Sequence, residues 1–272
     1  MAPIFSLAHL TVLDLAPPQM VALAARVGYQ AIGVRLLPAT PGGAAYLLDD
    51  PAMLRETIKA SEDTGVKIFD LEIIRLEPAT DVSSFGKFFE TGAALGAKAI
   101  LTAGNDPDEA RLTDTYAAFC DAAAPYGLTA DLEFMPWTDV RDLATAIRIV
   151  KAADRPNGGI LVDALHFDRS DSRLEDLTGL PRSWLHYAQM CDAPAEKPAT
   201  VEQMIHTARA ERLFPGDGGI DLPAIWERLP SDLPVSLEIP TDTLARTVGH
   251  EERIRRALTA AKAVLAQVPE RV

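Results

Sequence analysis

Amphipathic stretches of this chain end repeatedly in glycine, and a short apolar run follows each: LAARVG then YQAIGVRL, SEDTG then VKIFDLEII, AALGA then KAILTAG, AAPYG then LTADLEF, RPNGG then ILVDALHF. The glycines Gly28, Gly65, Gly96, Gly127 and Gly158 are spaced by 37, 31, 31 and 31 residues. Glycine just past a helix end supplies the left-handed conformation that closes the helix. The runs that follow are continuously apolar rather than alternating, as in strands covered on both faces.

A strand–helix unit of about 30 residues, repeated, implies parallel strands joined by right-handed crossovers. The pattern predicts strands at 4–9, 31–36, 67–74, 98–103, 128–134, 159–167, 184–191 and 234–239. Eight strands with helices between them predict an α/β fold, a (β/α)8 TIM barrel occupying 1–272 as a single domain. An open doubly wound sheet would show a glycine-rich turn after its first strand, and HLTVLDLAPP has none. Segments 38–43 and 193–219 read as loops after strand ends, where barrels keep their sites.

Charge narrows the partners. Asp plus Glu number 39 against 26 Lys plus Arg, a formal net charge of −13. Nucleic acids and anionic membranes recruit clustered positive charge, so a small-molecule substrate is expected instead. Cys120 and Cys191 lie far apart with no CxxC pairing, which reads as reduced thiols. MAPIFSLAHL lacks the basic start of a signal peptide, and no apolar run approaches the roughly 18 residues of a membrane span, so the expected location is the cytoplasm.

Candidate chemistry lies where the apolar runs end. Strand five ends at Glu133, strand six at Asp163 with His166 shortly after, strand seven carries Gln189, and strand eight ends at Glu238. Carboxylates desolvated by such neighbours require a cation or protonation. Three carboxylates and an amide oxygen at one barrel mouth suit Mn2+, Mg2+ or Co2+ better than a thiolate-seeking metal. The competing reading is that each acid caps the helix after its strand.

With these residues in place, the chain resembles the xylose-isomerase-like TIM-barrel superfamily of sugar phosphate isomerases and epimerases. The resemblance implies one divalent metal ion held by Glu133, Asp163, Gln189 and Glu238, with Gln189 standing where most members carry His. His166 matches the histidine of the superfamily's D-x-x-H signature. The segments QMCDAP (189–194), ERLFPGDGGIDL (211–222) and SLEI (236–239) look like those of 3-dehydroshikimate dehydratases, which also use Gln at strand seven.

Two enzymatic readings follow from the resemblance. The first is a metal-dependent isomerase or epimerase of carbohydrate metabolism. It would remove a proton α to a carbonyl and pass through an enediolate, with Glu133 and Glu238 as acid/base groups. The second is a lyase that dehydrates a 3-dehydroshikimate-like keto acid, with His166 as acid or base. A non-catalytic ligand-binding barrel is a third reading, and it predicts no retained metal. Arg212 matches an arginine that holds substrate oxygens in related enzymes. Arg35 and Arg75, closing strands two and three, would face a carboxylate or phosphate through bidentate contacts. His9 and Trp137 are candidate pocket walls. His186, His206 and His250 read as structural or solvated, and Met190 and Cys191 as packing. The Pro215-Gly216-Asp217-Gly218-Gly219 turn invites a phosphate, but it lacks the Lys-Ser/Thr of a P-loop and reads as a rigid turn. The resemblance also implies a homo-oligomer.

Overall fold

Apolar runs without alternation need cover on both faces, and a parallel barrel wrapped in helices provides it. The computed structural model describes residues 3–39 and 42–269. Eight parallel strands close in sequence order: β1 (Phe5–Leu7), β2 (Ala31–Arg35), β3 (Lys67–Leu76), β4 (Ala99–Gly104), β5 (Thr129–Glu133), β6 (Gly158–Asp163), β7 (Ala188–Met190) and β8 (Val235–Leu237). Ser6↔Ser236 and Leu7↔Leu237 complete the ring, so no strand edge is left open.

The helices are α1 (Pro17–Val27), α2 (Pro51–Thr64), α3 (Gly86–Leu95), α4 (Glu109–Ala123), α5 (Leu143–Ala153), α6 (Ala164–Arg169), α7 (Leu174–Thr178), α8 (Val201–Ala210), α9 (Leu222–Trp226), α10 (Asp242–Ala245) and α11 (His250–Leu265). Side-chain oxygens of Asp50, Asp108, Asp142, Asp163, Thr200 and Asp221 accept the free N–H groups that open six of them. At the other ends the glycine rule holds four times: Gly28, Gly65, Gly96 and Gly127 all have positive φ. It fails at Gly158, which begins β6. Asp154, at φ 48°, takes the left-handed position that ends α5.

Most of the predicted strands are shorter than the apolar pattern suggested, and three of them give way to other elements. His9 opens a 3-10 turn (His9–Val12) rather than ending β1. The run 159–167 breaks at Asp163, whose carboxylate caps α6, so the rest of that apolar stretch is helical. Trp184 ends another 3-10 turn, and β7 starts only at Ala188. The expected loop 193–219 contains α8. Of the expected loop 38–43, residues 40 and 41 lie outside the described residues. Among the described residues, no helix is long and apolar enough to cross a membrane.

Alternation inside β5 links fold to chemistry. Ala130 and Leu132 face the helix layer, whereas Asp131 and Glu133 share the barrel interior. Asp131 accepts from Thr129 Oγ1 at 2.7 Å and meets His186 Nδ1 at 2.5 Å. A Cβ at position 159 would lie 2.6 Å from that imidazole and 2.7 Å from the carboxylate, so Gly159 makes room for the pair. His186→Ala would leave the buried Asp131 carboxyl with the Thr129 hydroxyl as its remaining side-chain partner, and should destabilise the protein by about 3 kcal/mol in urea unfolding. Although burial lowers the His186 pKa, the hydrogen bond and charge of Asp131 raise it above the ordinary histidine value. The pair's contribution is therefore full below the ordinary histidine pKa and fades as pH rises through the folded one. The stability gap between wild type and His186→Ala should narrow as pH rises above the ordinary histidine pKa of about 6.5.

Candidate active site and metal centre

Asp163 reconciles the two readings of the strand-end acids. Its Oδ1 accepts from the N–H of Leu165 (2.7 Å) and of His166 (3.2 Å), which caps α6. Its Oδ2 turns to the cluster and accepts from Arg212 Nη1 at 2.6 Å. The neighbouring strand pairs Asp163 with Gln189, and Gln189 with Ser236, which brings Glu238 two residues on to the same rim.

The Gln189 amide lies against Glu133 Oε1 at 3.1 Å and Asp163 Oδ2 at 3.2 Å. With its nitrogen toward them it donates two hydrogen bonds. With its oxygen toward them, three oxygens face one another, an arrangement that a cation between them or a proton on one carboxyl satisfies. Adjacent oxygens around a six-coordinate ion with bonds of about 2.1 Å stand about 3 Å apart, so the spacing fits. Glu133, Asp163 and His166, all buried, also offer ligand atoms within 4.8 Å of one another. Arg212 Nη2 donates to Glu238 Oε2 at 2.7 Å, so the same guanidinium ties Glu238 to Asp163. The groups in mutual reach are the carboxylates of Glu133 and Asp163, the Gln189 amide and the His166 ring, a set suited to a divalent ion, while Glu238 is joined to it through Arg212.

Burial sets the charge balance. It raises Glu133 well above the carboxylate range, helped by the charges of Glu238 and Asp163. Burial also pushes Glu238 up to about 7, against the pull of Arg212 and with repulsion from Glu72 and Asp163. Asp163 resists its burial and stays below the usual value, held there by Arg212 and His166. Burial drives His166 down to about 4, so its ring is neutral near pH 7. The His166 Nε2 lies 3.6 Å from Glu133 Oε1, its Nδ1 has no partner among the described residues, and its ring packs edge-on to Trp137 at 5.0 Å.

Glu133, His166 and Glu238 line a half-open cleft of about 700 Å3, along with Arg35, Glu72, Arg75, Trp137, Arg209 and Arg212, whereas Asp163 and Gln189 lie buried behind its wall. The candidate substrate contacts divide. Arg75 and Trp137 line the cleft. Arg35 lines it too, but bonds Glu72 Oε2 at 3.1 Å. Arg212 is buried, and its contacts to Asp163, Glu238, Cys191 Sγ and the Ala208 carbonyl engage all three nitrogens, leaving a single Nη2 hydrogen for a substrate. His9 is not among the cleft-lining residues. Its Nδ1 accepts from the Arg35 N–H (2.9 Å), its Nε2 donates to the Leu15 carbonyl (3.0 Å), and its ring stacks on Tyr46. With both nitrogens engaged, it braces β1 against β2.

Three residues escaped the sequence reading. Glu72 sits inside a run that looked wholly apolar, and Arg209 lies on a helix where a loop was expected. Asp192 was quoted only as part of a motif. Its carboxylate accepts from the N–H groups of Gly216 (2.9 Å), Gly218 (3.0 Å) and Ile220 (3.1 Å), so the glycine-rich turn is folded around an internal anion. Cys191 is buried and its thiol is pushed up to about 12, which leaves it inert.

Comparison with known proteins agrees with this architecture. The family model described as xylose isomerase-like TIM barrel matches residues 21–264. A 3-dehydroshikimate dehydratase from Pseudomonas aeruginosa is 29% identical over 140 residues, 49% of this chain and 22% of that protein. An inosose isomerase from Bacillus licheniformis is 28% identical over 154 residues, 53% of each chain. The chain thus matches about a fifth of one relative and half of the other. Among solved structures, the IOLI protein with a bound zinc atom superposes with a TM-score of 0.82 at 22% identity, covering 98% of this chain and 99% of that one.

Proposed function

The chain belongs to the xylose isomerase-like TIM barrel family, and within it we propose a divalent-metal-dependent isomerase or epimerase of a sugar-like hydroxy-ketone. The observation that carries this reading is the contact of the Gln189 amide with the buried carboxylates of Glu133 and Asp163 beside a cleft, with Glu238 joined to Asp163 through Arg212. These four residues would hold the ion, which when bound supplies Lewis-acid stabilisation of the negative charge on an enediolate. Glu133 and Glu238 take a proton from the carbon beside the substrate carbonyl and return it, to the neighbouring carbon in an isomerase or to the opposite face of the same carbon in an epimerase. Neutral His166 and Trp137 wall the reacting carbon from solvent.

A dehydratase is the second reading. It is favoured by the unpartnered Nδ1 of His166 in the cleft, a base free of other duties. There the enolate expels a β-hydroxyl, which leaves as water.

Elemental analysis after loading with Mn2+ or Co2+, followed by incubation with inosose and with 3-dehydroshikimate, tests both. A retained ion with a product of unchanged mass supports the isomerase, and a product lighter by one water supports the dehydratase. Failure to retain any divalent ion would remove both.

A further inference from the structure

We propose that Arg75 and Arg209 form an oxyanion subsite in the cleft wall, so that the substrate carries a carboxylate or phosphate as well as its hydroxy-ketone. The inference rests on the hydroxy-ketone reading and adds the substrate's charge. Four arginines line the cleft. Arg35 is committed to Glu72 and Arg212 to Asp163 and Glu238. The other two have no such partner. Arg75 meets only the neutral amide of Asn105, at 3.3 Å, and Arg209 makes no ion pair among the described residues.

Most arginines among the described residues pair with a carboxylate. Acids outnumber Lys and Arg by 39 to 26, and even solvent-facing arginines find carboxylates: Arg111 bonds Asp106, Arg148 bonds Glu109, Arg173 bonds Asp176. Instead, Arg75 and Arg209 stand near enough for the charge of Arg209 to add to burial in disfavouring that of Arg75. Two guanidiniums lining one cleft, neither bonded to a carboxylate, present planar forks that match a carboxylate or phosphate in bidentate fashion. The buried Trp137 Nε1, which has no partner among the described residues, adds a donor to the same cleft.

Equilibrium binding tests this without turnover. Calorimetric titration of the Mn2+-loaded protein with myo-inositol, shikimate and inositol 1-phosphate compares a neutral polyol, a carboxylate and a phosphate, none of which has a ketone to react. At least one anion should bind about 30-fold more tightly than myo-inositol, and Arg75→Gln or Arg209→Gln should cut that advantage to about threefold. Preference for shikimate assigns a carboxylate, and preference for inositol 1-phosphate a phosphate. Equal affinity for all three, or a preference that survives both substitutions, would overturn the subsite. Arg209 is exposed, so its variant should keep the wild-type melting temperature. Failure of the hydroxy-ketone reading would appear separately, as absent turnover with the anion preference intact.

Discussion

Glu238→Gln should lower kcat/KM by about 10^3-fold or more while leaving the fold in place. Gln keeps the shape of Glu and an oxygen that accepts from Arg212 Nη2, so the 2.7 Å contact has a replacement. What disappears is a charge and a proton acceptor. Glu238 is buried among Glu72, Asp163 and Glu133, whose repulsion helps push it up to about 7, close to the pKa at which a group exchanges protons best near neutrality. Removing that charge also relieves the repulsion, so the melting temperature should not fall. Circular dichroism with steady-state kinetics on the substrate that the wild type turns over gives both readouts. Wild-type-like turnover in a folded variant would mean that the proposed acid/base pair does not operate.

The barrel was legible in the sequence because its periodic features are local. Gly28, Gly65, Gly96 and Gly127 mark helix ends through a backbone preference of single residues, and apolar runs mark strands through burial. The ends of those runs were harder to read. ILVDALHF is apolar apart from Asp163 and His166, and Asp163 divides it, because a carboxylate able to cap a helix outweighs the strand preference of its neighbours. The cluster could be read because an acid that closes an apolar strand is locally conspicuous. Its surroundings could not. Glu72 and Asp70 lie within VKIFDLEII, and much of what meets them comes from other strands: Arg35 bonds Glu72, and the charges of Glu238 and Asp131 bear on Asp70. Arg212 stood out by its motif, but only the folded structure shows it buried between two of the cluster's carboxylates.

Arg212→Met tests whether that guanidinium neutralises the cluster. Arg212 bonds Asp163 at 2.6 Å and Glu238 at 2.7 Å, all three groups being buried. Methionine keeps much of the aliphatic packing and removes the charge, leaving carboxylates that face one another without a cation. In the metal-free protein this should cost about 3–5 kcal/mol of unfolding free energy. Arg212 holds the Asp163 pKa below its ordinary value, so that pairing stabilises the fold above the unfolded carboxylate pKa and is lost as pH falls through the folded one. The deficit of the variant should therefore persist down to the ordinary carboxylate range of about pH 4 and shrink as pH falls below it. Mn2+ should restore much of the loss, because an ion that binds only the folded state stabilises it by mass action. Urea unfolding with Mn2+ or with EDTA, in wild type and variant, measures each part. A variant as indifferent to Mn2+ as to EDTA would show that the carboxylates around Arg212 do not form a cation site.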